Sequence, residues 1–201
     1  MTITYELGNS LYVNLTNRCS NDCTFCVRNE HKDVNGKDNL WLSKEPEISE
    51  IKADLEKRDL KKYDGVVFCG FGEPMMRYDA VIAVASWLKK TYPFVKIRIN
   101  TNGQGNLIAK KDITPEFNGI IDCISISLNS DNKKDYQEIC KSIYGEEAFD
   151  ALLEFAALSK KYVPDVILSV VDVVTPKAVI ENCRSIAKRL GVSFRVREFI
   201  D

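Results

Sequence analysis

The chain has 201 residues, of which 45% are apolar and 28% charged, the usual balance of a globular domain. Its 28 basic and 29 acidic residues give a net charge of −1, so nucleic acid is not expected as a partner. Residues 1–9 lack a secretory signal pattern and no apolar run is long enough for a membrane span. We therefore expect residues 1–201 to form one domain of a cytoplasmic protein with no membrane partner.

Strand and helix patterns alternate along the chain, which predicts a parallel α/β fold. Six segments are predicted to be strands: Leu11–Thr16, Gly65–Cys69, Val95–Asn100, Ile120–Leu128, Val166–Val174 and Phe194–Phe199. Three helices are predicted over Pro46–Lys57, Asp79–Lys90 and Ala148–Tyr162. A fourth begins at a Thr175-Pro176 cap and ends at Gly191.

Two arrangements fit this pattern: a doubly wound open sheet, and a partial (β/α)6 TIM-like barrel of parallel strands, open on one side. Polar residues recur at every second strand position, so they share one face of the sheet. They are Asn14 and Thr16; Arg98 and Asn100; Ser125, Ser127 and Asn129; and Arg195 and Arg197. A closed barrel fills its interior with apolar side chains, so a polar inner face favours a partial barrel with a ligand-holding lumen. The alternative is that these residues are strand ends beside loops.

Three of the seven cysteines lie close together, in the pattern Cys19-x3-Cys23-x2-Cys26. An odd cysteine count without an export signal argues against a disulfide framework. Structural zinc takes four ligands, usually as two pairs; there is no second pair, although the single histidine, His31, could serve. Three thiolates suit a [4Fe–4S] cluster with one iron open for a ligand. The isolated cysteines are typical of packing residues: Cys69, Cys123, Cys140 and Cys183.

The cysteine pattern, with Phe25 as an aromatic residue before the last cysteine, resembles the signature of the radical S-adenosylmethionine (radical SAM) superfamily. The resemblance implies that S-adenosylmethionine chelates the open iron through its amino and carboxylate groups. An electron from a reductant such as flavodoxin or ferredoxin would then break the S–C5′ bond. The resulting 5′-deoxyadenosyl radical would take a hydrogen atom from the substrate. Phe25 would lie against the adenine.

Further motifs follow in the order that the superfamily implies. Cys69-Gly-Phe-Gly-Glu-Pro74 resembles its GGE motif, which binds the methionine ammonium, with Phe71 inserted between the glycines. It lacks the phosphate-binding residues of a P-loop or a dinucleotide fold. Asn100-Thr-Asn-Gly103 is close to a TNG sequence of the glycyl-radical activating enzymes, although Asn102 could equally be a turn residue. The implied S-adenosylmethionine contacts are Phe25, Gly70, Gly72, Glu73, Asn102, Ser127 and Asn129.

The substrate contacts are less constrained by the sequence. Arg195, Arg197 and Asp172 are candidates, because a lumenal arginine can bind a carboxylate or phosphate bidentately, but each could be a surface or ion-paired charge. Three functions stay open: a radical enzyme for a small polar molecule, which is favoured; a glycyl-radical activating enzyme for a partner protein; and a non-catalytic iron–sulfur or zinc module. A protein partner or homo-oligomer is expected to cover the open barrel. The finer resemblance, to TatD-associated radical SAM proteins, implies no established substrate.

Overall fold

The computed structural model describes residues 1–34, 36–172 and 175–198. Its centre is one seven-stranded sheet in which neighbouring strands follow one another in chain order. The strands are β1 (Thr4–Leu7), β2 (Ser10–Val13), β3 (Val66–Phe68), β4 (Ile97–Thr101), β5 (Cys123–Ser127), β6 (Asp165–Val171) and β7 (Ser193–Arg197). β1 is antiparallel to β2, and every later pair is parallel.

Helices connect each parallel pair of strands. They are α1 (Ile48–Glu56), α2 (Tyr78–Thr91), α3 (Gly105–Ala109), α4 (Lys133–Cys140), α5 (Glu147–Ser159) and α6 (Lys177–Leu190). Parallel crossovers are right-handed, and the strand order never reverses, so these helices lie on the same outer face of the sheet. A doubly wound sheet would reverse its order at a switch point. The prediction of a partial, open barrel is therefore confirmed.

The alternation of strand residues separates an apolar outer face from a polar inner face. In β4, Ile97 and Ile99 are buried against the helices, whereas Arg98 and Asn100, which alternate with them, point to the inner face and line a cavity. The main core lies between the outer face and the helices, where Leu88 of α2 is among the fully buried side chains. Cys140 and Cys183 are both buried in this core, Cys183 as a packing residue and Cys140 next to the thiol of Cys23. None of the described helices is both long and apolar enough to cross a membrane.

The structure adds three elements that the sequence pattern did not predict, namely β1, α3 and α4. β1 turns back onto β2 through Gly8, whose φ of 56° favours glycine. α4 is mostly polar and buries only Tyr136 and Cys140, so it shows little apolar periodicity. A Thr175 cap on α6 was a wrong prediction, since Pro176 is its N-cap residue and no side-chain hydrogen bond caps it. Gly191 ends α6 as expected, with a φ of 65°.

Two predicted strands extend beyond what the structure describes. The predicted ends Val173, Val174 and Phe199 lie outside the described residues, and the observed strands β6 and β7 end before them.

Candidate active site

The inner face of the barrel encloses one cavity of about 660 Å³ beside the carboxyl ends of the parallel strands. This volume lies in the range of small-molecule sites, and this edge of a parallel sheet is where such folds place ligands. Asp172 is exposed after β6 and is not one of the residues that line the cavity. All other predicted site residues line it: Cys19, Cys23, Phe25, Cys26, Gly70, Gly72, Glu73, Asn102, Ser127, Asn129, Arg195 and Arg197.

The three clustered cysteines follow β2 on a loop, residues 14–26, which we call the cysteine loop. All three are free thiols and half-buried. Burial, and then the charge of Glu73, raise the pKa of Cys19 to about 12. A hydrogen bond with the Cys140 thiol, and then burial, raise the pKa of Cys23; burial raises that of Cys26. Because a thiol must lose its proton to ligate iron, cluster assembly is expected to release protons.

A buried network of polar side chains fixes the cysteine loop against the barrel. Gln104 is fully buried; its Nε2 donates to Asn21 Oδ1 at 2.8 Å and to the Tyr136 hydroxyl at 3.1 Å. Asn102 Nδ2 donates to the hydroxyl of Ser20 at 2.8 Å. These bonds reach two of the three loop residues between Cys19 and Cys23, so they set the loop's position. Neither Gln104 nor Tyr136 was predicted as a site residue; the only sequence signal is that Gln104 follows Thr-Asn-Gly.

Backbone hydrogen bonds join the cysteine loop to the end of α4. The amide of Thr24 donates to the carbonyl of Ile139 at 2.9 Å, and that of Asp22 to the carbonyl of Cys140 at 3.1 Å. The last carbonyls of a helix have no partner within it, so the loop satisfies them. The loop is thus held from two sides.

Glu73 lies at the end of the short segment after β3, and the residue is 3% exposed. Its two carboxylate oxygens accept hydrogen bonds from the Thr101 hydroxyl at 2.6 Å and from the backbone N–H groups of Asn102 at 2.7 Å and Met75 at 3.0 Å. Burial nevertheless raises the pKa of Glu73 above its ordinary value. A buried carboxylate that faces a cavity suits a positively charged ligand group.

The two glycines of this segment are required by the chain's own packing. A side chain at Gly70 would collide with the side chain of Asn14. One at Gly72 would collide with the carbonyl oxygens of Thr16 and Arg18. The close backbone approach that these glycines permit is therefore to the cysteine loop, which brings Glu73 next to the cysteines.

Two amide oxygens line the cavity without a hydrogen-bond partner among the described residues. They belong to Asn100 and Asn129, and both oxygen atoms are buried. Asn129 has a φ of 56°, a conformation that asparagine tolerates better than most residues. Buried acceptors without partners carry an energetic cost, so they fit the hydroxyl or amino groups of a ligand. Ser127 accepts a hydrogen bond from Arg197 at 3.3 Å.

The residues around the cavity fit a cluster and S-adenosylmethionine. Three thiols, a buried carboxylate and two free acceptor oxygens lie on its wall. Among the described residues, no three His, Cys, Asp or Glu side chains surround a single point as ligands of one metal ion would. His31, the candidate for a zinc ligand, is not one of the lining residues.

Other lining residues were not predicted as part of the site. Cys69, interpreted from the sequence as a packing residue, instead lines the cavity and is half-buried. Its position could have been found, because Cys69 lies two residues after Val67 and therefore shares the inner face. Arg98 and Asn100 were placed on that face by the sequence but not assigned to the site. Tyr5 and Tyr12 come from the unpredicted hairpin of β1 and β2.

The comparisons with known proteins agree with this geometry. The family model of the Radical SAM superfamily matches residues 13–190. No curated protein sequence matches the chain. Similar solved structures include Streptococcus suis SuiB bound to S-adenosylmethionine (17% identity, TM-score 0.63), methylornithine synthase PylB (13%, 0.64) and anSMEcpe with bound AdoMet (16%, 0.63).

These structures are longer than this chain. They cover 95%, 94% and 94% of it, but the chain covers only 38%, 53% and 51% of them, respectively. At these identities the likeness shows the shared fold.

Proposed function

Because the chain belongs to the Radical SAM superfamily, it is an enzyme whose cofactors are a [4Fe–4S] cluster and S-adenosylmethionine, and we propose that it acts on a small polar substrate. The reaction would be reductive cleavage of S-adenosylmethionine to a 5′-deoxyadenosyl radical that abstracts hydrogen from that substrate. As a member of an enzyme superfamily, the chain is not interpreted as a non-catalytic iron–sulfur or zinc module.

One observation carries the proposal: the three cysteines and Glu73 line the same cavity at the carboxyl ends of the strands. Cys19 and Glu73 are close enough that the carboxylate charge raises the pKa of the thiol. Ligands for an iron–sulfur cluster and a counter-charge for an ammonium group are thus side by side. Gly70 and Gly72 allow this placement, because without side chains they pack closely against the cysteine loop.

We assign the cluster to Cys19, Cys23 and Cys26, and S-adenosylmethionine to Glu73 and its neighbours. Glu73 would accept the methionine ammonium, and the free oxygen of Asn129 would accept a hydroxyl or amino group. Phe25 is half-buried on the cavity wall, where an aromatic face suits an adenine ring. The remaining assigned contacts are Gly70, Gly72, Asn102 and Ser127.

A reduced cluster held by the three assigned cysteines would supply the electron for cleavage of the S–C5′ bond of the cofactor. The chain itself orients the reactants. The network around Gln104 holds the cysteine loop, and the hydrogen bonds of Thr101 and Asn102 aim the Glu73 carboxylate. The apolar residues around Phe71 keep water from one side of the cavity, which protects a radical from side reactions.

The size and lining of the cavity favour a small substrate over a partner protein. A volume of about 660 Å³ accommodates a cofactor and a small molecule. A flavodoxin or ferredoxin would supply the electron, and a reducing cytoplasm would keep the thiols free. We also propose that residues 1–201 form a single radical SAM core domain, since one continuous sheet runs through the described residues.

Anaerobic reconstitution with iron and sulfide, followed by dithionite and S-adenosylmethionine, tests the proposal. We expect 5′-deoxyadenosine by mass spectrometry from the wild type. A Cys19→Ala, Cys23→Ala, Cys26→Ala triple variant is expected to give none. The matched control is Cys183→Ala, which removes a buried thiol on α6 and should keep the activity. Equal product from the wild type and the triple variant would refute the assignment of the cluster.

A further inference from the structure

Three arginines on the inner face have no role in the cofactor assignments. Arg98 lies on β4, and Arg195 and Arg197 lie on β7. All three are half-buried and line the cavity that the cysteines also line. We refer to Arg98, Arg195 and Arg197 as the arginine trio.

The arginine trio is held in place by neutral hydroxyl groups. Each Nη2 atom donates one hydrogen bond, and the distances are 3.2, 3.2 and 3.3 Å. The acceptors, in the order of the trio, are the side chains of Tyr12, Ser125 and Ser127. These bonds fix the direction of each guanidinium without neutralising its charge.

The charges of the arginine trio lack counter-charges in the described part of the chain. None of the ion pairs between described residues includes a member of the trio. The Nε atom of each member is buried without a hydrogen-bond partner. Burial lowers the pKa of Arg197, and the positive charge of Arg195 lowers it further. A half-buried charge without a counter-charge is costly, so it indicates a ligand that would pair with it.

The two acids on the cavity wall do not supply that pairing. Glu73 already accepts three hydrogen bonds from its own surroundings. Glu198 is exposed and forms no ion pair with a described residue within 4.0 Å. A guanidinium carries five N–H donors, and one side-chain hydrogen bond per member leaves donors that match the two oxygens of a carboxylate or phosphate.

An apolar and aromatic wall adjoins the arginine trio. The rings of Tyr5 and Tyr12 have centroids 5.2 Å apart, and Tyr12 also bonds to Arg98. Leu7, Phe71 and Val34 continue this wall around the cavity. A ligand that uses both surfaces would carry an anionic group on an apolar or aromatic body.

We propose that the arginine trio binds the carboxylate or phosphate group of the substrate, whose apolar or aromatic part lies against Tyr5, Tyr12 and Phe71. This inference rests on the proposed function and specifies its substrate class. S-Adenosylmethionine also carries a carboxylate, so the test must separate the substrate from the cofactor.

Binding of small probes to the full chain tests this proposal without measuring activity. The protein is purified anaerobically and titrated by calorimetry, before and after reconstitution of the cluster. The probes are benzoate, phenyl phosphate and uncharged benzamide, which has the shape of benzoate. The variants are Arg195→Gln and Arg197→Gln. Arg184→Gln is the matched control, because Arg184 is exposed on α6 and pairs with Glu181.

We expect benzoate or phenyl phosphate to bind and benzamide not to, and the stronger of the two anions identifies the substrate's charged group. Each lumenal variant should weaken anion binding about 10-fold or more, as loss of a charged hydrogen bond does, while Arg184→Gln has no effect. Equal binding of benzoate and benzamide, unchanged binding by the lumenal variants, or no binding up to about 10 mM would overturn the proposal.

The cofactor alternative is measured on one of the same variants. The S-adenosylmethionine affinity of the reconstituted protein should be unchanged in Arg195→Gln, because the hydrogen-bond partner of Arg195 is Ser125, which is not an assigned cofactor contact. Arg197→Gln is left out of this measurement, because its partner Ser127 is such a contact. A parallel loss of cofactor affinity would assign the arginine trio to the cofactor and overturn the substrate assignment. Anion binding before reconstitution does not depend on the cluster, so its outcome is separate from that of the 5′-deoxyadenosine assay.

Discussion

The fully buried amide of Gln104 offers a direct test of how the cysteine loop is held. Gln104→Met keeps the length of the side chain but removes its hydrogen bonds. Asn21 Oδ1 loses its partner at 2.8 Å, and the Ser142 hydroxyl loses its acceptor at 3.0 Å. A buried polar group without a partner costs about 1–3 kcal/mol. Methionine also removes a buried amide, which offsets part of the cost, so we expect the free energy of unfolding to fall by about 2–4 kcal/mol.

A loss of that size is measurable and leaves a folded protein, since domains are stable by about 5–15 kcal/mol. Urea unfolding of the reduced protein gives the stability, and iron analysis after anaerobic reconstitution gives cluster occupancy. We expect both to fall, because Asn21 lies between two of the proposed cluster ligands. The control Asn118→Leu changes an exposed amide and should stay within about 0.5 kcal/mol of the wild type. If Gln104→Met matches that control in stability and iron content, the network does not position the loop.

Two further predictions concern the segment after β3. Gly72→Ala should destabilise the fold by about 3 kcal/mol and reduce bound iron, because its methyl group would meet two backbone carbonyls. The control is Gly119→Ala, in open space at a φ of 74°, which should cost about 1–2 kcal/mol and keep the iron. Burial raises the native pKa of Glu73, so the folded protein holds that proton more tightly and its free energy of unfolding falls as pH rises above the ordinary value of 4.5. The stability of Glu73→Gln relative to the wild type should therefore increase as the pH rises above that ordinary value in urea unfolding, and a pH-independent difference would contradict this sign.

Short-range patterns in the sequence were sufficient to predict a parallel α/β fold with one polar face of the sheet, which favoured a partial barrel. The alternation of Ile97, Arg98, Ile99 and Asn100 depends only on the two-residue period of a strand, so it predicted which side chains face inward. The cysteine spacing and the glycines of the next unit predicted a single site, because the ends of parallel strands meet at one edge of the sheet. The strand order, which distinguishes a barrel from a doubly wound sheet, needed the structure.

Long-range contacts explain what the sequence did not predict. Gln104 and Tyr136 have no local pattern that marks them, because their partner Asn21 is more than 80 residues away in the chain. β1 is only four residues long and depends on pairing with β2. Cys69 was assigned to packing by its apolar neighbours, although strand parity places it on the inner face. The structure also separates Asp172 from the cavity lining, which leaves its predicted substrate role as a prediction without geometric support.

The most direct test of the central claim is electron paramagnetic resonance of the reconstituted, dithionite-reduced protein, recorded with and without S-adenosylmethionine. A cluster held by Cys19, Cys23 and Cys26 leaves one iron open, so we expect about four irons per chain and a spectrum that changes when the cofactor is added. An iron–sulfur signal that is identical with and without S-adenosylmethionine would contradict the open iron. Zinc in place of iron in protein purified without air would contradict the cluster itself.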